Sequence, residues 1–129
     1  MSSVFKKIID GDIPAYKVAE NDEFLAFLDI APLVEGHTLV IPKKESDFIF
    51  DMEDDALGKL MQFAKIVANK MNTVFDCKRI GVSVIGLEVP HAHIHLIPIN
   101  EVGDMDFKQP KLSLPKERME HLAKLIIEA

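Results

Sequence analysis

The chain has 129 residues, enough for one hydrophobic core and the size of one ordinary domain. Apolar residues make up 48% and charged residues 28%, the mix of a water-soluble globular protein. A net charge of −6 argues against polymeric DNA or RNA as a partner, because backbone binding needs a basic surface, but leaves room for a small nucleotide in a local pocket. Cys77 is the single cysteine, so neither an internal disulfide nor a cysteine-rich zinc cluster is expected. The first residues lack the apolar run of a signal peptide, and no stretch approaches a membrane span. A cytoplasmic protein away from membranes is the expectation.

No repeat, low-complexity segment or linker interrupts the chain, and residues 1–129 read as a single domain. Residues 3–9 predict a short helix, capped by Ser2 or Ser3 and ended near Gly11. Pro14 breaks the chain into an extended stretch near Tyr16-Lys17-Val18. Residues 23–29 read as a strand with Phe24, Ala26 and Leu28 on one face and Leu25, Phe27 and Asp29 on the other. Pro32 and Gly36 bracket a loop, and His37 to Ile41 forms a second strand ended by Pro42. Strands this close in sequence should pair as an antiparallel hairpin.

Residues 53–74 give the clearest helical pattern, with Leu57, Leu60, Met61, Ala64, Val67, Ala68, Met71 and Val74 at three- and four-residue spacing. Asp51 is its candidate cap, and its methionines read as core packing. Arg79 to Ile85 predicts a third strand, and His91 to Ile97, bounded by Pro90 and Pro98, a fourth. Residues 115–128 predict a last helix, with Met119, Leu122, Ala123, Ile126 and Ile127 on one side. The fold class is therefore α+β: an antiparallel meander sheet with one long helix packed on it, a short N-terminal helix and a C-terminal helix.

His91, His93 and His95 alternate with apolar residues. On a strand all three imidazoles share one face, while Ala92, Ile94 and Leu96 point under the long helix. Three alternating histidines are costly on a sheet face unless they do chemistry. Neighbours on such a face lie roughly 7 Å apart, so the outer pair is too far apart to share one ion with the middle one. A metal site would need a further ligand such as His37 or Glu88, and none is assigned. Nucleophilic attack suits the spacing better: the middle imidazole attacks, and its neighbours hydrogen-bond the surrounding oxygens or protonate a leaving group. Phosphorus is a fitting electrophile because its oxygens need charge stabilisation.

The run His91-Ala92-His93-Ile94-His95-Leu96-Ile97 resembles the motif of the histidine-triad (HIT) superfamily. Phe5-Lys6-Lys7-Ile8-Ile9, Ile13-Pro14-Ala15, Leu25 to Ile30, and Gly36 to Lys43 resemble its HINT-like, nucleotide-binding branch in order, from about residue 4 to about residue 99. The tail from about residue 100 to residue 129 is not covered. The resemblance implies a HIT-like fold, a purine nucleotide substrate, no cofactor, a homodimer, and transfer or hydrolysis of a nucleotidyl group through a covalent intermediate on His93. It implies that His91 and His95 flank this nucleophile and that His37 supports it. Asp29 would accept the ribose hydroxyls, and Phe5, Ile8, Phe27 and Ile30 would wall the base pocket. A nucleotide-binding module with little turnover, and a metalloprotein using His91, His93 and His37, are the alternatives.

The stretch before the triad departs from the family pattern. Many members carry Gly-Gln-Ser or Gly-Gln-Thr there, whereas this chain has Gly86-Leu87-Glu88, with a carboxylate at the hydroxyl position. That leaves the nucleophile in place and changes the leaving-group side. Elsewhere, Lys43 and Lys44 read as a solvated turn, His121 as a surface residue, and Cys77 as a small buried one.

Overall fold

The computed structural model describes residues 3–129. Strand β1 (Lys17–Glu20) pairs with β2 (Phe24–Leu28), and β2 with β3 (Thr38–Pro42), all antiparallel. The meander ends there. The long helix α2 (Asp54–Val74) crosses one face, so that β4 (Arg79–Ser83) lies on the far edge and β5 (Ile94–Ile99) returns between β3 and β4. The sheet is antiparallel throughout, in the order β1-β2-β3-β5-β4. A short helix α1 (Val4–Ile9) and a terminal helix α3 (Lys116–Ile127) complete the α+β fold expected from the sequence.

Every residue of β2 and β3 is buried, which requires cover on both sheet faces. Alternation divides the labour. Phe24, Ala26 and Leu28 join Val40, Ile94 and Leu96 beneath α2, whose Leu60, Phe63, Ala64, Val67 and Met71 are buried at helical spacing. Met119, Leu122, Ala123 and Ile126 of α3 extend the same core. Leu25, Phe27, Leu39 and Ile41 face the other way and meet Phe5 and Ile8 of α1. At about 25 cal/mol per Å² of apolar surface removed from water, these two clusters supply the main drive to fold. Among the described residues, no helix is long and apolar enough to cross a membrane.

Several boundaries differ from the sequence expectations for physical reasons. The fourth strand begins at Ile94, not His91. The β3–β5 register pairs Thr38 with Leu96 and Val40 with Ile94, so its continuation would set Ala92 opposite Pro42. Pro42 has no N–H to donate, and the ladder stops. The amide of Ala92 turns instead to the carbonyl of Ser46, 2.6 Å away. The third strand consequently ends at Ser83 rather than Ile85, because its partner has left the sheet. Pro98, expected as a boundary, lies inside β5 beyond the reach of β3, opposite Ile80 of β4. Asp51 does not cap α2; it belongs to a 3-10 turn (Ile49–Asp51), and Glu53 occupies the N-cap position. Ser3 caps α1, its hydroxyl accepting the amide of Lys6 at 3.1 Å, while the alternative cap Ser2 lies outside the described residues.

The loop from Asp29 to His37 enters β3 through Gly36, whose φ is +91°. A Cβ built on Gly36 would lie 2.5 Å from the ring of Phe75 at the end of α2. Gly36→Ala is thus expected to cost about 2 kcal/mol or more, from left-handed strain and overpacking together. A urea-unfolding midpoint equal to that of the parent would refute this account of the turn.

Candidate active site

The face covered by α1 is also the face that carries the histidines. Across the ladder Phe27 pairs with Leu39, Leu39 with His95, and His95 with Ser83, forming one row of side chains. His93 and His91 lie past the start of β5 but keep the alternation, since Ala92 and Ile94 are buried on the α2 side. The rings of His93 and His95 are only 4.9 Å apart. A regular strand sets such positions roughly 7 Å apart along the backbone, and the two rings lean together within that spacing.

Backbone partners determine where each ring carries its proton. The Nδ1 of His37 accepts the amide of Leu33 at 3.0 Å, so its single N–H is at Nε2. That N–H donates to the Nδ1 of His95 at 2.9 Å, which places the N–H of His95 at Nε2. The Nε2 of His91 lies 2.7 Å from the carbonyl of Pro42 and must donate to it. The freed Nδ1 of His91 accepts from the Ser3 hydroxyl at 3.3 Å. His93 places its Nδ1 2.7 Å from the carbonyl of His91, so its N–H is there and the lone pair resides at Nε2. Of the four rings, His93 alone offers a nitrogen lone pair that no other group among the described residues holds. The proline that ends the ladder thus provides, through its carbonyl, the anchor of His91.

Burial shapes the electrostatics. It pushes His37 down to about 3 and His95 down to about 4, with the charges of neighbouring histidines and Lys111 acting in the same direction. His91 is likewise lowered by burial, against the opposing effect of its bond to Pro42. Asp29 is raised by burial, partly offset by the amide of Ala31, which its Oδ1 accepts at 2.9 Å. Its Oδ2 lies 3.7 Å from the Nε2 of His37.

The structure therefore brings together His37, His93, His95 and Asp29, with Phe5 set edge-on to His93 at 5.0 Å and to Phe27 at 5.5 Å. Ile8 packs beside Phe5 and Phe27 in the buried cluster. His91 is wholly buried behind His93 and touches it through its carbonyl. Ile30 is 76% exposed and projects from the loop after Asp29. Glu88 is exposed on the turn before His91, and its charge raises Asp29. Cys77 is half-buried, and burial raises its thiol.

Ligand atoms of His91, His93 and His37 do not converge, so the metal site expected of those three residues is not formed. Among the described residues, the group whose ligand atoms lie within 4.8 Å of one another is Asp29, His37 and His95. A cation there would replace the bond between the two histidines.

Three residues escaped the sequence reading. Ser3 was visible as a cap, not as the partner of a histidine 88 positions away. Phe107 packs its ring 4.8 Å from that of His95 and 6.1 Å from that of His37. Lys111 sits 5.7 Å over the Phe107 ring. The latter two lie in an irregular stretch where neither periodicity nor motif operates; an isolated phenylalanine among polar residues was the only signal.

Comparison with known proteins places this geometry in context. The model of the HIT domain matches residues 10–102. An uncharacterized HIT-like protein of Borreliella burgdorferi is 37% identical over 128 residues, covering 93% of this chain and 92% of its own. An adenosine 5′-monophosphoramidase of Schizosaccharomyces pombe is 33% identical, covering 98% and 96%. Among solved structures, a HIT-like protein of Bartonella henselae superposes with a TM-score of 0.86 at 31% identity, over 98% of this chain and 95% of that one.

The neutral, buried state of His37 and His95 predicts how stability depends on pH. Unfolded, each titrates near 6.5; folded, near 3 and 4. Their stabilisation is complete above about pH 6.5 and is lost as pH falls toward the folded values, because the unfolded chain then binds protons that the native one refuses. Each histidine contributes up to about 1.4 kcal/mol per pH unit in that window. The raised Asp29 opposes this only toward the acid end. The urea midpoint should therefore drop between pH 7 and pH 5, and His37→Gln should flatten the drop; a flat midpoint in the parent protein would contradict the assignment.

Proposed function

This chain belongs to the HIT family, and from that premise we propose that it is a cytoplasmic nucleotide hydrolase or transferase. Its substrate class is a purine nucleoside monophosphate derivative, either a nucleoside phosphoramidate or a dinucleoside polyphosphate, attacked at the α-phosphorus through a covalent nucleotidyl-histidine. The observation that carries this reading is the tautomer of His93. With its Nδ1–H held by the carbonyl of His91, the lone pair at Nε2 is the free nucleophile of the site. The relative in Schizosaccharomyces pombe, described as an adenosine 5′-monophosphoramidase, supports the choice of chemistry.

Attack by Nε2 forms a phosphorus–nitrogen bond and breaks the bond from phosphorus to the leaving group, which takes the electron pair. The ring becomes cationic, and the carbonyl of His91 stabilises it through the strengthened Nδ1–H bond. His95, neutral and donating from Nε2, hydrogen-bonds a phosphoryl oxygen or the departing atom. It does not release that proton, because its Nδ1 is occupied and His37 cannot be recharged by an amide. An amine leaving group accordingly takes its proton from solvent, whereas a phosphate leaves as the anion. Water then attacks phosphorus, the electron pair returns to His93, a proton passes to solvent, and the nucleoside monophosphate is released.

Asp29 accepts the ribose hydroxyls in this reading, which its free carboxylate lone pairs support. Phe5, Phe27 and Ile8 form the apolar wall behind the nucleotide, and the exposed Ile30 is the lip that a bound base would cover. The edge strand β4 leaves its outer ladder unpaired among the described residues. Val82 on that edge is 52% exposed, as are Met61 (45%) and Ile66 (60%) of α2. An open edge flanked by exposed apolar side chains supports the homodimer, with the two sheets joined through β4.

Two measurements test this reading. A labelled adenylyl donor, quenched within a single turnover, should leave label on His93 and none on His93→Ala; a protein that binds AMP yet never acquires label would instead be a binding module. Sedimentation equilibrium should give a dimer, and the pair Val82→Lys with Ile66→Glu should give a folded monomer. A parent that sediments as a monomer at all concentrations would end the dimer proposal.

A further inference from the structure

The segment from Asn100 to Leu114 returns across the mouth of the site. Phe107 seats its ring against His95 and His37. Farther along, the amide of Leu112 donates to the carbonyl of Pro32 at 2.8 Å, fastening the segment to the loop that follows Asp29. Lys111 lies between these two attachments. Its ammonium donates to the carbonyls of Phe107 and Gln109 and rests over the Phe107 ring. Those partners orient the ammonium without neutralising it, and among the described residues no carboxylate lies within ion-pair distance of Lys111.

We propose that Lys111 is a specificity-determining residue that binds an anionic group, a phosphate or a carboxylate, carried by the leaving group. The proposal rests on the reading of His93 as the attacking nucleophile. The ring of Phe107 packs 4.8 Å from that of His95, the histidine proposed to flank the departing atom, and this assigns the ammonium above it to the leaving-group side.

The electrostatic need for such a cation follows from the rest of the site. His95 presents one N–H dipole, the N–H of His37 being held by His95, and neither ring carries a net charge near neutrality. Asp29 and the nearby Glu88 contribute negative charge, which repels an anionic ligand. The charge of Lys111 reaches Asp29, His37 and His95 alike. A leaving group that carries its own anion therefore meets a counter-charge at Lys111, while a neutral leaving group gains nothing from it. Lys111 acts on substrate choice; the nucleophile and its tautomer are set elsewhere.

Two paired comparisons test this and separate phosphate from carboxylate. The first measures kcat/KM for the adenosine 5′-phosphoramidates of glycine and of glycinamide, which differ by one negative charge. Lys111→Met should lower the glycine-to-glycinamide ratio about fivefold, as for a partly exposed charge pair, Lys111→Glu should lower it further, and Lys111→Arg should restore it. The second measures the affinity ratio of ADP to AMP by calorimetry, where Lys111→Met should lower the preference for ADP by a similar factor. A change in only one comparison identifies the anion that Lys111 binds. Ratios unchanged in both overturn the proposal. A parent protein that turns over neither phosphoramidate nor a diadenosine polyphosphate overturns the hydrolase reading instead, and the ADP-to-AMP ratio then decides the role of Lys111 alone.

Discussion

A neutral imidazole carries one N–H and one lone pair, and in this protein main-chain groups decide which nitrogen has which. The amide of Leu33 claims a lone pair on His37, while the carbonyls of Pro42 and His91 claim protons on His91 and His93. The tautomer of His95 follows from that of His37. Because each partner belongs to a strand end or a tight loop, the proton inventory is fixed before any ligand arrives, at no reorganisation cost during reaction. Moving one backbone anchor would leave all four side chains in place and still misdirect the lone pair on which attack depends.

The sheet makes this arrangement affordable by separating two tasks. Beneath α2 and α3 lies a large aliphatic and aromatic core, in whose Leu28–Leu96 row the buried Thr38 hydroxyl donates to the carbonyl of Gly36. On the opposite face a smaller cluster under α1 shares its surface with the histidines. The side-chain nitrogens and oxygens shut off from solvent all find partners among the described residues, which leaves the Nε2 atoms of His93 and His95 as the open positions of the polar face. Phe5 joins the two tasks, packing against Phe27 on one side and against His91 and His93 on the other.

Much of this was legible in the residues. The alternation of Ala92, Ile94 and Leu96 with the histidines assigned the two faces correctly, because burial under α2 holds whether or not the ladder continues. The two faces of Phe24 to Asp29 and the stripe of α2 followed from the same periodicities. The exit of His91 and His93 from the strand was not legible. Pro42 was recognised as a strand end in its own segment, but its missing N–H acts on a partner 50 residues later, and only the register reveals that Ala92 is the partner. Ser3, Phe107 and Lys111 were missed for the same reason: their roles depend on contacts across the fold and not on local pattern. The side-chain direction of Ile30 was likewise invisible, since a loop residue obeys neither period.

Arg118 of α3 holds Glu35 through two bonds of 2.8 and 2.7 Å across 83 positions of sequence. As an exposed pair it adds little to stability, but it joins the end of the chain to the loop that positions His37. During synthesis the strands and the triad emerge from the ribosome well before residue 118. The nascent chain therefore carries all four histidines while the loop that sets the protons of His37 and His95 still lacks its C-terminal clasp. A chain cut short before α3 would therefore contain the entire triad while the loop from Asp29 to His37 lacked this clasp.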